Sequence, residues 1–344
     1  MADSRKNLSF INYAYAIGAI FVVLGHSTPT SASNVPIIVD QIRSFIYCFH
    51  MPLFFFIAGL LMQYTKSESR PPYLSFIGKK SVKFLVPYFV YTIIGFLPKI
   101  FLARFTNDSV SFSFEYLFKT FFSPRDNVWG HFWFLPTLLI VYLFSYFLLD
   151  MNKHKPIILT ITVCAAALAV FPIPTDWVCL HDLSEMLVFF VLGIVLGDFV
   201  VKSYDRIFKL PFALLSTIVS IAIFAAYILC FYSENGYDSN IYEAVKLIVG
   251  CLMIYTVLTF SVLFARYNNK LLTLLNGKTF SIYLMSWPCQ AFAEIALNRV
   301  LHLHWIIVIL GMFTVGLAVP LFVVWIYKKL SGKSKVMNCL LGLN

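Results

Sequence analysis

Three histidines stand where long apolar segments begin or end. His26 ends the first segment, His50 opens the second, and His131 opens a later one. An imidazole titrates near neutral pH, so it is the side chain best suited to move a proton. Ionisable groups at membrane depth are costly and therefore mark candidate functional sites, although a single interfacial histidine can also simply anchor a helix end. The sequence thus predicts proton-transfer chemistry at the mouth of a helix bundle.

A second group of candidate residues is basic. Lys79, Lys80 and Lys83 come directly before the third apolar segment. Residues three apart share one face of a helix, so Lys80 and Lys83 project together and could bind phosphate groups as point charges. The alternative is topological, because every cytoplasmic loop of a membrane protein tends to be basic.

The composition identifies the elements that must position these side chains. Of the 344 residues, 60% are hydrophobic and 12% are charged, whereas soluble domains carry about 25% charged residues. The apolar runs show no alternation, so they predict membrane-spanning helices rather than strands of a barrel. This excludes a soluble enzyme. The net charge of +10 lies in alternating loops, which argues for membrane topology and against nucleic acid as a partner.

The predicted fold class is all-α: a polytopic membrane helix bundle with about ten transmembrane helices. Residues 1–335 form one integral membrane domain, and residues 336–344 are a short C-terminal tail. The loop at about 105–130 could form a re-entrant or lid segment. The predicted spans are 8–27, 45–64, 84–103, 131–149, 157–174, 184–201, 211–232, 242–264, 279–297 and 304–327.

The basic residues also predict an orientation. Most of the 26 lysines and arginines lie at the two termini and in the loops that follow the even-numbered spans. Positively charged loops stay in the cytoplasm, so both termini are predicted to be cytoplasmic. The three histidines and Glu185 then lie near the outer face, and the three lysines lie near the inner face.

Six segments, in order along the whole chain, form a recognisable pattern. They are 15–27 (YAIGAIFVVLGHS), 49–59 (FHMPLFFFIAG), 80–88 (KSVKFLVPY), 131–136 (HFWFLP), 190–197 (FVLGIVLG) and 282–288 (IYLMSWP). Together they resemble the acyltransferase-3 family of integral membrane acyltransferases. The nearest resemblance is to its fucose 4-O-acetylase-like branch.

The resemblance implies an activity and its participants. It implies transfer of an acetyl or other short acyl group from cytoplasmic acetyl-CoA, or another acyl-CoA, to a hydroxyl of an extracytoplasmic sugar or glycan. The protein would reside in the plasma (bacterial cytoplasmic) membrane, and no metal is expected. His26 corresponds to the essential histidine of the family. Lys80 and Lys83, with Lys79 beside them, correspond to a basic pair that holds the CoA end.

These correspondences suggest roles for further residues. His26 would accept a proton from the attacking hydroxyl, and His50, His131, Trp133 or Tyr15 would stabilise the oxyanion. Trp129 and Trp133 could stack on a sugar, and Glu185 could also bind the acceptor.

Two departures from the family pattern keep alternatives open. Tyr15 stands where the family usually has arginine, and Ser286 stands where histidine is common. Serine keeps a hydroxyl but cannot relay a proton at neutral pH. The alternatives are a transporter or flippase of a lipid-linked sugar or polymer, and a catalytically inactive relative of the family.

Overall fold

The chain is described by a computed structural model over residues 8–29, 35–66, 71–101, 113–330 and 332–343. Throughout these ranges the regular secondary structure is helical, with no strand. The predicted all-α fold class is confirmed.

Thirteen α-helices of six residues or more are described. In chain order they are α1 (Ser9–Gly25), α2 (Ile37–Tyr47), α3 (His50–Lys66), α4 (Tyr73–Phe101), α5 (Phe114–Phe122), α6 (Phe134–Met151), α7 (Lys155–Val170), α8 (Leu180–Ile207), α9 (Leu210–Cys230), α10 (Asn240–Arg266), α11 (Thr279–Glu294), α12 (Trp305–Leu330) and α13 (Lys335–Leu340). Other helical segments include the 3₁₀ turns Pro124–Asp126, Gly130–Trp133 and Trp177–Cys179 and the π-helical Ile295–Val300.

The helices have the length and composition of a multi-pass membrane protein. Six stretches of the described residues are long and apolar enough to cross a bilayer, and α1 and α7 are apolar but shorter. A helix lies at each of the ten predicted spans. How many of them cross the bilayer, and on which side the termini lie, stay predictions. The six stretches are Ile37–Thr65, Gly130–Met151, Trp177–Ile207, Leu210–Cys230, Asn240–Arg266 and Trp305–Leu330.

Helices α3 and α8 form the centre of the bundle, where two glycines let their backbones approach. A Cβ atom on Gly59 would lie 2.1 Å from the carbonyl oxygen of Phe190, and one on Gly193 would lie 2.2 Å from that of Phe56. Small residues at such crossings permit the close packing that drives helix association in lipid. The peripheral α9 and α12 instead present large apolar side chains outward, as a lipid-facing surface requires.

The break between α2 and α3 places functional candidates side by side. Only Cys48 and Phe49 separate the two helices. Pro52 is the third residue of α3, and proline is tolerated in the first turn because its missing N–H would have no intrahelical partner. The helix therefore restarts just before Pro52, with His50 as its first residue and Tyr47 as the last residue of α2.

Candidate active site

The first candidate site is a cavity of about 580 Å³, here called the histidine cavity. Its wall is formed by the end of α1, the break between α2 and α3, the 3₁₀ turn Gly130–Trp133 and the facing ends of α8 and α10. The three predicted histidines all line it. Other lining residues are Arg43, Tyr47, Arg125, Trp133, Glu185, Lys246 and Tyr283.

His26 is the central histidine of this cavity. Its ring centroid lies 6.4 Å from that of His50 and 6.2 Å from that of His131. It caps the C-terminus of α1, where the following Ser27 donates a hydrogen bond to the Val23 carbonyl at 2.7 Å. From α11, the Gln290 side chain donates to the same carbonyl at 2.8 Å. These bonds fix the end of α1, and with it the position of His26, against α11.

Hydrogen bonds define which ring nitrogens are available for chemistry. His50 Nδ1 lies 2.9 Å from the Ile46 carbonyl oxygen. A carbonyl only accepts, so Nδ1 is the donor and Nε2 of neutral His50 is left as an acceptor. His26 Nδ1 lies 3.1 Å from the Tyr47 hydroxyl. When Nδ1–H donates to that oxygen, Nε2 of His26 is the free base.

His131 differs from the other two histidines. Its side-chain nitrogens are both buried and have no hydrogen-bond partner among the described residues. Its backbone carbonyl, by contrast, accepts from the Tyr283 hydroxyl at 2.7 Å. A buried polar group without a partner needs an explanation, and a substrate in the adjoining cavity would supply one.

Ion pairs surround the histidines. Lys246 Nζ lies 2.7 Å from a carboxylate oxygen of Glu185 and 2.7 Å from one of Glu243. The predicted acceptor residue Glu185 therefore lines the cavity but is already paired with a cation. Arg125 Nε donates to buried Asp182 at 2.9 Å, and the guanidinium carbon lies 5.0 Å from the centroid of the Trp133 ring. Burial disfavours the charged form of Arg125, but Asp182 keeps its pKa above the ordinary value.

The second candidate site is a cavity of about 450 Å³ that contains the predicted basic pair. It is here called the lysine cavity, and its lining includes Tyr15, Thr65, Lys80, Lys83, Phe134, Tyr142, Phe280 and Tyr283.

The two lysines of this cavity lie against aromatic rings. Lys80 Nζ lies 3.9 Å from the centroid of Tyr142, and Lys83 Nζ lies 5.7 Å from that of Phe280. Both residues precede the predicted span 84–103. Burial lowers the pKa of Lys80 to about 8. Burial, and then the charge of Lys80, lowers the pKa of Lys83. Both ammonium groups are therefore incompletely solvated, and a bound anion would compensate for the lost hydration.

The C-terminal segment that the sequence suggests to be a tail packs against this site. Helix α13 lies beside α4, where the Cys339 thiol donates to the Val82 carbonyl at 3.6 Å. The buried Ser281 hydroxyl donates to the carbonyl of Leu341, and Gly342 lines the lysine cavity. The segment therefore forms part of the cavity wall.

The remaining predicted site residues are placed as follows. Tyr15 lines the lysine cavity, with its ring centroid 5.9 Å from that of Phe54. Lys79 is exposed and does not line that cavity. Ser286 is buried in α11 and lines neither cavity. Trp129 is also buried, and its indole nitrogen donates to the Tyr91 carbonyl at 3.1 Å, so this ring is directed toward α4 rather than toward either cavity.

Three aromatic residues of the site are absent from the candidates that the sequence suggests. Tyr47 bonds to His26, the Trp287 ring centroid lies 4.7 Å from that of His26, and Tyr283 lines both cavities. A signal for them does exist. Tyr283 and Trp287 lie four apart, which is the spacing of a shared helix face, and Tyr47 lies three residues before His50, across the break between α2 and α3.

The helix bundle and its two cavities define a class, a multi-pass membrane protein with two cavities between its helices. The chain belongs to the acyltransferase-3 family, whose model, described as an acyltransferase domain, matches residues 8–325. It is therefore a membrane acyltransferase. Searches of curated proteins and of solved structures found no match. The resemblance to the fucose 4-O-acetylase-like branch stays a prediction.

Proposed function

We propose that the protein transfers an acetyl or other short acyl group from acyl-CoA, bound in the lysine cavity, to a sugar hydroxyl bound in the histidine cavity. One observation carries the proposal. His26 lines one cavity, Lys80 and Lys83 line the other, and the two cavities share Tyr283 as a wall. A donor and an acceptor that enter from opposite ends would therefore meet beside His26.

On the donor side, Lys80 and Lys83 bind the phosphates of CoA. Ammonium groups bind phosphate as point charges. The rest of the lysine cavity is lined mainly by aromatic and aliphatic side chains, which suit the pantetheine arm and a short acyl chain. The hydroxyl of Tyr15 is the polar group of α1 in this cavity. In the proposal it donates to an oxygen of the donor, in place of the arginine usual in the family.

On the acceptor side, His26 Nε2 takes the proton of a sugar hydroxyl. The oxygen attacks the thioester carbonyl carbon, the carbon–sulfur bond breaks, and the proton held by His26 leaves with the CoA thiol. His50 Nε2 can only accept a hydrogen bond while His50 is neutral, so it positions a hydroxyl rather than an oxyanion. His131 has a ring N–H without a partner among the described residues, and we assign it the role of oxyanion donor.

The location and the acceptor belong to the same proposal. Cytoplasmic acyl-CoA requires the lysine cavity to face the cytoplasm, as the distribution of basic loops predicts. The acceptor is then an extracytoplasmic glycan at the plasma membrane. Trp133 lines the histidine cavity, and its ring can stack on a sugar face.

Binding of CoA tests the donor half of the proposal. We expect purified protein to bind CoA saturably in a calorimetric titration, and Lys83→Met to weaken that binding. Lys79→Met is the matched control, because Lys79 lies on the same helix but is exposed outside the cavity. Equal loss of affinity in both variants would indicate general electrostatic attraction instead of a site. Transfer of labelled acetyl to a panel of glycans tests the acceptor half.

A further inference from the structure

We infer that Tyr283 is a movable partition between the two cavities, and that it keeps water in the histidine cavity away from the thioester until acceptor and donor are both bound. Among the residues described, Tyr283 alone lines both cavities. This inference rests on the proposed function for its chemical meaning. The partition itself can be tested without any catalytic assay.

The Tyr283 side chain is held from both sides. Its hydroxyl donates to the His131 carbonyl at 2.7 Å. Its ring centroid lies 5.6 Å from that of His131 and 5.3 Å from that of Phe134. On the lysine side, the Phe280 ring is stacked with it at 6.1 Å, with an interplanar angle of 5°. Only 7% of Tyr283 is exposed, so the ring fills the space between the cavities.

The same helix turn links this partition to His26. Trp287 follows Tyr283 by four residues on α11 and contacts His26. The hydroxyl bond holds Tyr283 to the turn that carries His131. Acceptor binding near His26 and His131 would therefore alter the contacts of both Trp287 and Tyr283. A rotation of the Tyr283 side chain would then open a direct path to the lysine cavity.

The consequence of a closed partition is protection of the donor. If water reached the thioester, its oxygen would attack the carbonyl carbon and the carbon–sulfur bond would break. The products would be a carboxylic acid and CoA thiol, with the proton of water passing to the sulfur. Exclusion of water from an active site suppresses such side reactions. Tyr283 is thus a positioning residue that directs the acyl group to the acceptor.

Accessibility of an introduced thiol tests the partition directly. In a cysteine-free background, Thr65→Cys reports on the lysine cavity and Ser44→Cys reports on the histidine cavity, since these residues line them. A charged methanethiosulfonate is added outside sealed vesicles. The vesicles are prepared in the orientation in which this external reagent reacts with Thr65→Cys. We expect Ser44→Cys to react at least about tenfold faster with Tyr283→Ala than with native Tyr283.

Conservative variants separate the roles of the ring and of the hydroxyl. Tyr283→Phe keeps the ring and loses the bond, so it should give an intermediate labelling rate. Tyr88→Phe is the matched control, because the buried Tyr88 hydroxyl also donates to a backbone carbonyl, that of Thr120, at 2.6 Å. Equal labelling of Ser44→Cys with native Tyr283, Tyr283→Ala and Tyr283→Phe would overturn the inference.

Activity measurements then connect the partition to the reaction. We expect Tyr283→Ala to raise the ratio of acyl-CoA hydrolysis to acyl transfer at least about tenfold, and Tyr88→Phe to leave that ratio unchanged. If labelling depends on Tyr283 but wild-type protein transfers no acyl group, the proposed function fails and the partition stands. If labelling is independent of Tyr283, the partition fails whatever the activity.

Discussion

Removal of the Tyr47 hydroxyl tests how His26 is prepared for catalysis. In the proposed mechanism His26 Nδ1–H donates to the Tyr47 oxygen, 3.1 Å away, and leaves Nε2 as the base. Without this bond the imidazole can adopt either tautomer and can rotate. A neutral hydrogen bond contributes about 0.5–1.5 kcal/mol, which corresponds to a fall in kcat of about 2- to 13-fold for Tyr47→Phe. The KM for acyl-CoA should not change, because Tyr47 lines the histidine cavity and not the lysine cavity.

The assay is steady-state acyl transfer with acyl-CoA varied at saturating acceptor. Tyr255→Phe is the control, since the Tyr255 hydroxyl donates to the Ile207 carbonyl at 2.9 Å, away from both cavities. A tyrosine that only packs against His26 would allow Tyr47→Phe to keep full kcat. That result, or a change confined to the KM for acyl-CoA, would refute the assignment of Tyr47 as the residue that orients His26.

Three further predictions concern charge and packing. Lys80→Met should raise the KM for acyl-CoA about 10- to 100-fold. In the wild type that KM should rise above pH 8, because burial lowers the pKa of Lys80 to about 8 and the amine loses its charge above it. Lys80→Arg should shift this rise to higher pH, because the guanidinium stays charged. Gly193→Ala should lower the free energy of unfolding by about 1–3 kcal/mol, since its new Cβ would meet backbone atoms. Thermal unfolding measures the change, and Gly78→Ala, where the space is open, is the control. Arg125→Met should destabilise the protein by about 1–3 kcal/mol because it leaves the buried Asp182 carboxylate without its cation. The double variant Arg125→Met/Asp182→Asn should recover most of the lost stability. Equal stability of Arg125→Met and the double variant would contradict this explanation.

The fold class and the general position of the candidate site can be predicted from the sequence. Apolar segments of membrane-spanning length predict the helices. Ionisable residues are so rare within these segments that His26, His50 and His131 stand out. The structure brings these three histidines to one cavity and brings Lys80 and Lys83 to another. The position of each residue at a helix end or on a helix face is a local property of the chain, whereas the packing of distant helices brings the three histidines into one cavity.

The choice among aromatic residues could not be predicted in the same way. In a chain with 36 phenylalanines and 19 tyrosines, a ring that faces a cavity has the same local pattern as one that faces lipid or a neighbouring helix. Trp129 precedes a 3₁₀ turn and Trp133 ends it, yet Trp133 lines the histidine cavity and Trp129 is directed toward α4. Tyr47 and Tyr283 acquire their roles from partners on other elements of the fold, so their spacing in the sequence marks them as candidates but does not assign those roles.

The central claim is that this membrane acyltransferase moves an acyl group from acyl-CoA to an acceptor beside His26. The most direct measurement is transfer of labelled acetyl from acetyl-CoA to a glycan panel by wild type, His26→Ala and His154→Ala, at matched levels of folded protein. His154 is exposed and lines neither cavity, so its variant controls for loss of a histidine. The account predicts transfer by the wild type and by His154→Ala, and none by His26→Ala. Full transfer by His26→Ala would contradict it.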